Sequence, residues 1–419
     1  MEDIEINQIM HGDCLQVLRI FPSNMVDSVV TDPPYGLTRE PDIREVLEKW
    51  LAGEDYHHRG GGFMGKTWDS FVPGPSIWRE VYRVLKPGGY ALVFAGTRTQ
   101  DLITTALRLA GFEVRDVIEW LYFNGFPKSM DVSKAIDKKL GAEREVTGQV
   151  KTRDLSRHGG EIKGDMLVGM SRGSAVIDVK DKPATEEAKQ WQGWGTALKP
   201  AHEPIILVRK SLDGTVADNV ERWGTGALNI DACRIPLNGE KPPSGSGKRE
   251  GNGNTYHLKD WVAPNGGNGG NITPEEGRFP ANCVTTEPDA FFSPYFNVTP
   301  EHLCKKASKR DRNSDWRGEP INLEEKITDD GRKKPIDNPF LRGKTKRVNS
   351  HPTVKPTDLM AWLVRLVTPP GGIVLDPFAG SGSTCVAARR EGFFFIGIEQ
   401  ELEYVEIARK RVGEIEKVE

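Results

Sequence analysis

Long apolar runs are missing from this chain. No stretch approaches the roughly 18 consecutive apolar residues of a membrane-spanning helix, so no membrane association is expected. The opening MEDIEINQIM has neither the basic start nor the apolar core of a signal peptide. Cysteine is scarce: five in 419 residues, without paired spacing. That argues against a disulfide framework and for a reducing, cytoplasmic setting. A dominant charge is missing too, since the net charge is −3. Any surface for a polyanion must therefore come from local clusters. There is no internal repeat. His57 and His58 are adjacent, but no Cys or His follows at ligand spacing, so no metal is expected.

The length suits two or three domains. Hydrophobic content of 37% and charged content of 28% describe a soluble globular protein, and 45 glycines suggest long turns and close backbone approach to ligands.

The chain is organised around Thr31-Asp32-Pro33-Pro34-Tyr35-Gly36. The apolar run Ser28-Val29-Val30 before it reads as the end of a buried strand. Two successive prolines have no N–H to donate, so the strand stops and the backbone there is stiff. A carboxylate, a Pro carbonyl and an aromatic ring are left at a carboxyl strand end, where open α/β sheets place ligands. Such a set can grip a planar group by its edge and its face; an exocyclic amino group on a nucleobase is such a target. Taken alone, the tetrapeptide also reads as a strand-ending turn with an Asp cap and a packed Tyr.

Before it, Ile4 to Asp13 read as a strand ending at Gly12-Asp13-Cys14, then a helix with Leu15 and Leu18. After it, residues 37–52 look helical, with Val46 and Trp50 on one face. The Gly-rich segment from Gly53 to Trp68 reads as a lid over substrate. A helix with Ile77, Val81 and Leu85 is stopped by Lys86-Pro87-Gly88-Gly89, and Tyr90 to Ala95 form a strand. Thr97 or Thr99 caps a helix carrying Leu102, Ala106 and Leu109. Val114 to Phe123 is a further strand, and Val132 to Leu140 a helix. Pro204 to Val208 is a clean strand. Residues 238–277 read as a mobile Gly/Asn/Pro/Ser segment. Basic stretches at 305–312 and 332–347 are either solvated surface or phosphate contacts. Strands alternating with helices indicate a largely parallel sheet covered on both faces.

Regularity returns at His351-Pro352-Thr353-Val354-Lys355-Pro356, followed by a helix with Leu359 and Leu363. Ile373 to Asp376 is an apolar strand, and Pro377-Phe378-Ala379-Gly380-Ser381-Gly382-Ser383-Thr384 a glycine-rich turn opening a helix. Gly380 and Gly382 permit close backbone approach, and the helix offers unpaired N–H groups. Glu399 follows about 20 residues on, at the end of the next strand, where an acidic residue grips ribose hydroxyls. The spacing is not the dinucleotide pattern, so hydride transfer is a poorer match.

Together these motifs resemble the S-adenosylmethionine-dependent amino-methyltransferases that act on DNA. Asp32-Pro33-Pro34-Tyr35 is similar to their catalytic tetrapeptide, and Phe378-Ala379-Gly380-Ser381-Gly382 to their cofactor loop. The order, catalytic motif before cofactor loop, is that of the circularly permuted beta group. The resemblance covers about 1–130, 200–210 and 350–415. It implies a Rossmann-like α/β fold with a seven-stranded sheet, Pro204 to Val208 being its antiparallel strand, and an inserted irregular target-recognition region. The implied divisions are a catalytic half (1–130), an insertion (131–200), a last sheet strand (201–210), the target-recognition region (211–350) and a cofactor half (351–419).

By the same resemblance Asp32, Pro33, Pro34 and Tyr35 are catalytic. Asp13, Cys14, Thr353, Lys355, Asp376, Phe378, Gly380, Ser381, Gly382, Thr384 and Glu399 hold S-adenosylmethionine. Asp32 and the Pro33 carbonyl would accept the amino protons, and Tyr35 would stack on a base flipped from the duplex. The Asp-Pro-Pro-Tyr form is more usual for adenine N6, leaving cytosine N4 as the alternative. RNA methylation and a non-catalytic DNA-binding role fit less well. Ring-carbon methylation needs a Pro-Cys thiolate, and none of Cys14, Cys233, Cys283, Cys304 or Cys385 follows a proline. Double-stranded DNA is the expected partner; a homodimer and a cognate restriction endonuclease stay open. Gly125-Phe126-Pro127-Lys128-Ser129 is similar to stand-alone phage and prophage enzymes.

Overall fold

Apolar residues that alternate sides along a strand can be buried on both faces only if helices cover both. In the computed structural model, Val30, Leu92, Phe94, Ile205, Leu207 and Val374 enter one core, and Val29, Ala91, Val93, Ile206, Val208 and Leu375 the other. The structure describes residues 4–37, 40–58, 69–122, 125, 129–151, 176–236, 277–287, 293–298, 326–327, 333–334, 349, 351 and 353–413. Residues 59–68 of the expected lid Gly53 to Trp68, all but Gly277 of the segment 238–277, Phe126 to Lys128 and nearly all of both basic stretches lie outside them. Among the described residues no helix is long and apolar enough to cross a membrane.

The chain divides into two compact units, one of Met1–Asn124 with Ala201–Glu419, the other of Gly125–Pro200. In chain order the strands are β1 (Gln8–His11), β2 (Val26–Thr31), β3 (Leu85–Phe94), β4 (Glu113–Leu121), β5 (Gly148–Lys151) and β6 (Val176–Val179). Then come β7 (His202–Arg209), β8 (Cys283–Thr285), β9 (Lys326–Ile327), β10 (Lys333–Lys334), β11 (Ile373–Asp376) and β12 (Phe394–Glu399). Eight of them make one sheet in the order β1-β12-β11-β2-β3-β7-β4-β8. It is parallel throughout except for β7, which runs antiparallel to β3 and β4.

The architecture is the Rossmann-like α/β sheet that the motifs imply, with an eighth strand where seven were expected. Cys283-Val284-Thr285 adds itself parallel to β4, and Val284 is wholly buried. Three residues are too few to show a period of two. Another difference lies at Lys86-Pro87-Gly88-Gly89. The helix ends at Val84, and the Pro-Gly-Gly run is a bulge inside β3, between the pairs Val26–Leu85 and Ser28–Tyr90. The first strand is also shorter than expected, Gln8–His11.

Helices Cys14–Ile20, Pro75–Val84 and Gln100–Leu109 bury their apolar stripes on one face of the sheet. Helices Thr357–Val367, Ser383–Arg390 and Leu402–Val412 cover the other. Each large aliphatic or aromatic side chain so buried contributes about 1.5–3 kcal/mol. In the smaller unit, helix Val132–Leu140 carries the buried Asp137, which accepts from Arg144 Nε at 2.6 Å and Thr185 Oγ1 at 2.7 Å.

The central pair, β2 and β11, joins residues almost 350 positions apart: Ser28 faces Val374 and Val29 faces Leu375. Side chains fasten the seam. Ser28 Oγ and Thr368 Oγ1 share a buried hydrogen bond of 2.8 Å. Ile373 N donates to Asp27 Oδ2 at 2.8 Å, while Lys86 Nζ holds Asp27 Oδ1 at 2.6 Å. Thr31 Oγ1 donates to Asp376 Oδ1 at 2.6 Å.

Candidate active site

Strand order reverses between β11 and β2, and there the crevice of an open α/β sheet forms. Asp32 follows β2 at that edge, and Asp376 ends β11 beside it. The Thr31–Asp376 bond ties the two strand ends directly.

The tetrapeptide is pinned through its backbone. Tyr35 N and Gly36 N donate to Asp69 Oδ1 at 3.0 and 3.2 Å, and Thr99 Oγ1 donates to Tyr35 O at 2.8 Å. Thr99 stands at the N-cap position of helix Gln100–Leu109, yet its hydroxyl serves the tetrapeptide rather than the helix. Neither Asp69 nor this use of Thr99 is signalled by local sequence.

The turn after β11 is equally fixed. Gly380 N donates to Glu399 Oε2 at 2.8 Å, and Glu401 N to Glu399 Oε1 at 2.7 Å. Gly380 and Gly382 take φ of +52° and +78°, the left-handed region. A Cβ on Gly380 would lie 2.7 Å from His351 Nε2, and one on Gly382 2.9 Å from Ala408 Cβ. Phe378 N donates to Asp376 Oδ1 at 3.1 Å, and Thr384 also bonds that carboxylate. Burial pushes Asp376 up to about 6, against these bonds, and Glu399 up to about 7.

Residues 26–410 match the family designated N6_N4_Mtase, described as DNA methylase. The chain belongs to this family of DNA methylases. The Type II methyltransferase M2.DpnII of Streptococcus pneumoniae is 49% identical over 67 residues, 16% of this chain and 25% of that protein. The chain thus spans about a quarter of that relative's length. Among solved structures, the M1.HpyAVI–SAM complex aligns at 16% identity and TM-score 0.40, over 97% of this chain and 99% of that one. The PvuII DNA methyltransferase (cytosine-N4-specific) aligns at 13% and 0.42, over 97% and 86%.

In the methylase the residues expected around the cofactor fall into three groups. Asp376, Phe378, Gly380, Ser381, Gly382 and Thr384 lie along the turn and its helix, and Glu399, at the end of β12, bonds the turn through Gly380 N. Asp13 and Cys14 follow β1, which Gly12 N fastens to Glu399 O at 3.0 Å. There Asp13 caps helix Cys14–Ile20 through Gln16 N at 3.0 Å, and burial pushes the Cys14 thiol up to about 12. Thr353 and Lys355 depart from the group. Thr353 is exposed and donates its N–H to His351 Nδ1 at 3.3 Å. Lys355 sends its ammonium to the tetrapeptide instead.

Lys355 Nζ lies 2.5 Å from Asp32 Oδ2, 3.3 Å from Glu203 Oε2 and 3.1 Å from Tyr35 Oη. The Tyr35 hydroxyl lies 2.8 Å from Asp32 Oδ1 and 3.1 Å from Glu203 Oε2, and its one proton serves one carboxylate at a time. The ammonium also sits over the rings of Tyr35 and Phe94, at 5.3 and 4.7 Å. Burial raises Asp32, with Glu203 adding to the rise and Lys355 opposing it. Burial would lower Lys355, but Asp32 and Glu203 outweigh it and carry its pKa above the ordinary value. Glu203, on β7, stands just ahead of the expected strand Pro204 to Val208, and nothing in the sequence marks it.

Behind the turn stands Arg411, completely buried on helix Leu402–Val412. Its Nη1 donates to Ser381 O at 2.5 Å, Ser381 Oγ at 2.9 Å and Ser383 Oγ at 3.2 Å. In the sequence it is one basic residue among several in a last helical turn, with nothing to distinguish it.

Proposed function

We propose that this methylase transfers a methyl group from S-adenosylmethionine to the N6 amino group of adenine in duplex DNA. The observation that carries the reading is the placement of Asp32 beside the Asp376–Gly382 turn, with Thr31 hydrogen-bonded to Asp376. An acceptor for amino protons and a cradle for the methyl donor then share one crevice.

The turn fits the donor. Its two left-handed glycines hold a tight backbone turn that other residues would strain, and Glu399, held by two backbone N–H groups, keeps lone pairs for the ribose hydroxyls. S-adenosylmethionine, when bound there, supplies an electrophilic methyl on a sulfonium. Asp13 and Cys14, just after β1, would border it, and Arg411 holds the turn through Ser381.

An aromatic amino nitrogen is a poor nucleophile because its lone pair is delocalised into the ring. Asp32 and the Pro33 carbonyl accept hydrogen bonds from its two N–H groups. Both bonds strengthen as positive charge develops on nitrogen, so they act on the transition state. Asp69 and Thr99 fix the backbone that carries these acceptors, which places them in advance. Tyr35, its hydroxyl tethered, supplies the ring for stacking the flipped base. The released proton leaves through Asp32 or to solvent.

The Asp-Pro-Pro-Tyr form of the motif favours adenine. Incubating the protein with labelled S-adenosylmethionine and duplex DNA, then sequencing single molecules, returns both the modified base and its context. Asp32→Ala is expected to abolish transfer while donor binding survives. Calorimetry showing lost donor affinity would contradict the role given to Asp32, and modified cytosine would move the substrate to N4.

A further inference from the structure

We infer that Glu203 is a positioning residue for methyl transfer, seating the Lys355 ammonium and cancelling its charge beside the carboxylate that receives the amino group. The inference rests on the reading of Asp32 given above.

The geometry gives the lysine two seats. Its Nζ bridges Asp32 Oδ2 at 2.5 Å and Glu203 Oε2 at 3.3 Å, and all three side chains are largely buried. Asp32 and Lys355 alone would make a neutral pair. A nitrogen gaining positive charge next to that pair would meet the attraction of the carboxylate offset by the repulsion of the ammonium. Glu203 brings the cluster to a net charge of −1, the sign that a cationic nitrogen favours. It also offers the ammonium a place to move when a substrate N–H claims Asp32.

Glu203 is itself held. The Tyr122 hydroxyl bonds it from the end of β4, and the Tyr35 hydroxyl lies 3.1 Å away. The groups facing the cluster are therefore Asp32 and Tyr35 after β2, Tyr122 after β4, Lys355 ahead of helix Thr357–Val367, and Asp376 at the end of β11. His202, the neighbouring residue, is directed to Glu119 at 3.6 Å.

Glu203→Gln keeps the shape and removes the charge. The single-turnover rate on duplex DNA should fall roughly tenfold, within the range for coupled contacting residues. Donor affinity should not change. With one negative neighbour gone, Asp32 ionises more easily, so the acid limb of the rate–pH profile should move to lower pH. Glu203→Asp should recover part of the rate. In a Lys355→Met background, Glu203→Gln should change the rate little on the pH plateau, where Asp32 is already ionised and the carboxylate acts through the ammonium. Equal losses in both backgrounds, or a Glu203→Gln rate and pH profile like those of the parent, would overturn the inference. If Glu203→Gln does not fold, the comparison of Glu203→Asp with the parent in both backgrounds decides. A parent protein that methylates no DNA would instead sink the reading of Asp32.

Discussion

Replacing Arg411 with Met asks whether the glycine turn is held from behind. Arg411 is completely buried, and three acceptors on Ser381 and Ser383 surround its Nη1. That nitrogen carries two protons, so two of the three bonds form at once. At about 1.5 kcal/mol for each bond from a charged donor, Arg411→Met should cost about 3 kcal/mol. In a unit of this size that is a melting shift of about 4 °C. Met keeps most of the apolar stem, so the loss reports on the guanidinium rather than on a cavity. The freed turn must then be ordered when the donor binds. Each 1.4 kcal/mol so spent weakens binding about tenfold, and a Kd for S-adenosylmethionine about tenfold higher is expected by calorimetry. Arg411→Lys should fall between, since a point charge cannot reproduce the fork. A variant that melts with the parent and binds the donor equally well would refute the idea that Arg411 shapes the turn.

Thr31→Val deletes the 2.6 Å bond to Asp376 at nearly constant volume. Because burial holds Asp376 near 6, the loss should be about 1.5–3 kcal/mol at pH 8, where the acceptor is charged, and smaller at pH 5. Urea melts giving the same loss at both pH values would contradict this. Glu399 sits near 7 when folded against an ordinary 4.5, so the folded state binds its proton more tightly than the unfolded. Its contribution to stability is full below about pH 4.5 and is lost as pH rises through about 7, by about 3 kcal/mol at most. Glu399→Gln should lack that slope, and parallel pH profiles of unfolding would speak against it. Hydroxyl donors on the ribose favour the ionised form, so donor affinity in the parent should rise with pH across the same window.

What could be read from the sequence was what local chemistry marks. The Pro-Pro pair ends β2 wherever the strand lies, and Gly380 and Gly382 announce a turn that other residues would strain. Trp50 and Val46 are buried as their spacing on helix Ile43–Leu51 requires. What could not be read depends on which distant strands become neighbours. Lys355 and Asp32 are 323 positions apart, and nothing near either one names the other. Glu203 looks like any charged residue at the start of a strand. Asp69 closes a polar glycine-rich segment and gives no hint that it captures two backbone N–H groups of the tetrapeptide. The eighth strand was missed for a different reason: three residues carry too little pattern to be told from loop.

The seam between β2 and β11 has a cost in time. As the protein is made, β2 emerges with Val29 and Val30 ready to be buried, but the strand that covers its inner edge is encoded some 345 residues later. At about 5–20 residues per second the ribosome takes roughly 20–70 s to deliver it. Throughout that interval the middle of the future sheet is an open apolar edge, the arrangement that invites pairing with other chains. The contacts of Asp27, Ser28 and Thr31 with the late-arriving segment therefore act as a checkpoint as well as a fastening, because a foreign strand in that slot would leave Ser28 and Thr31 without their partners and Asp27 with Lys86 alone.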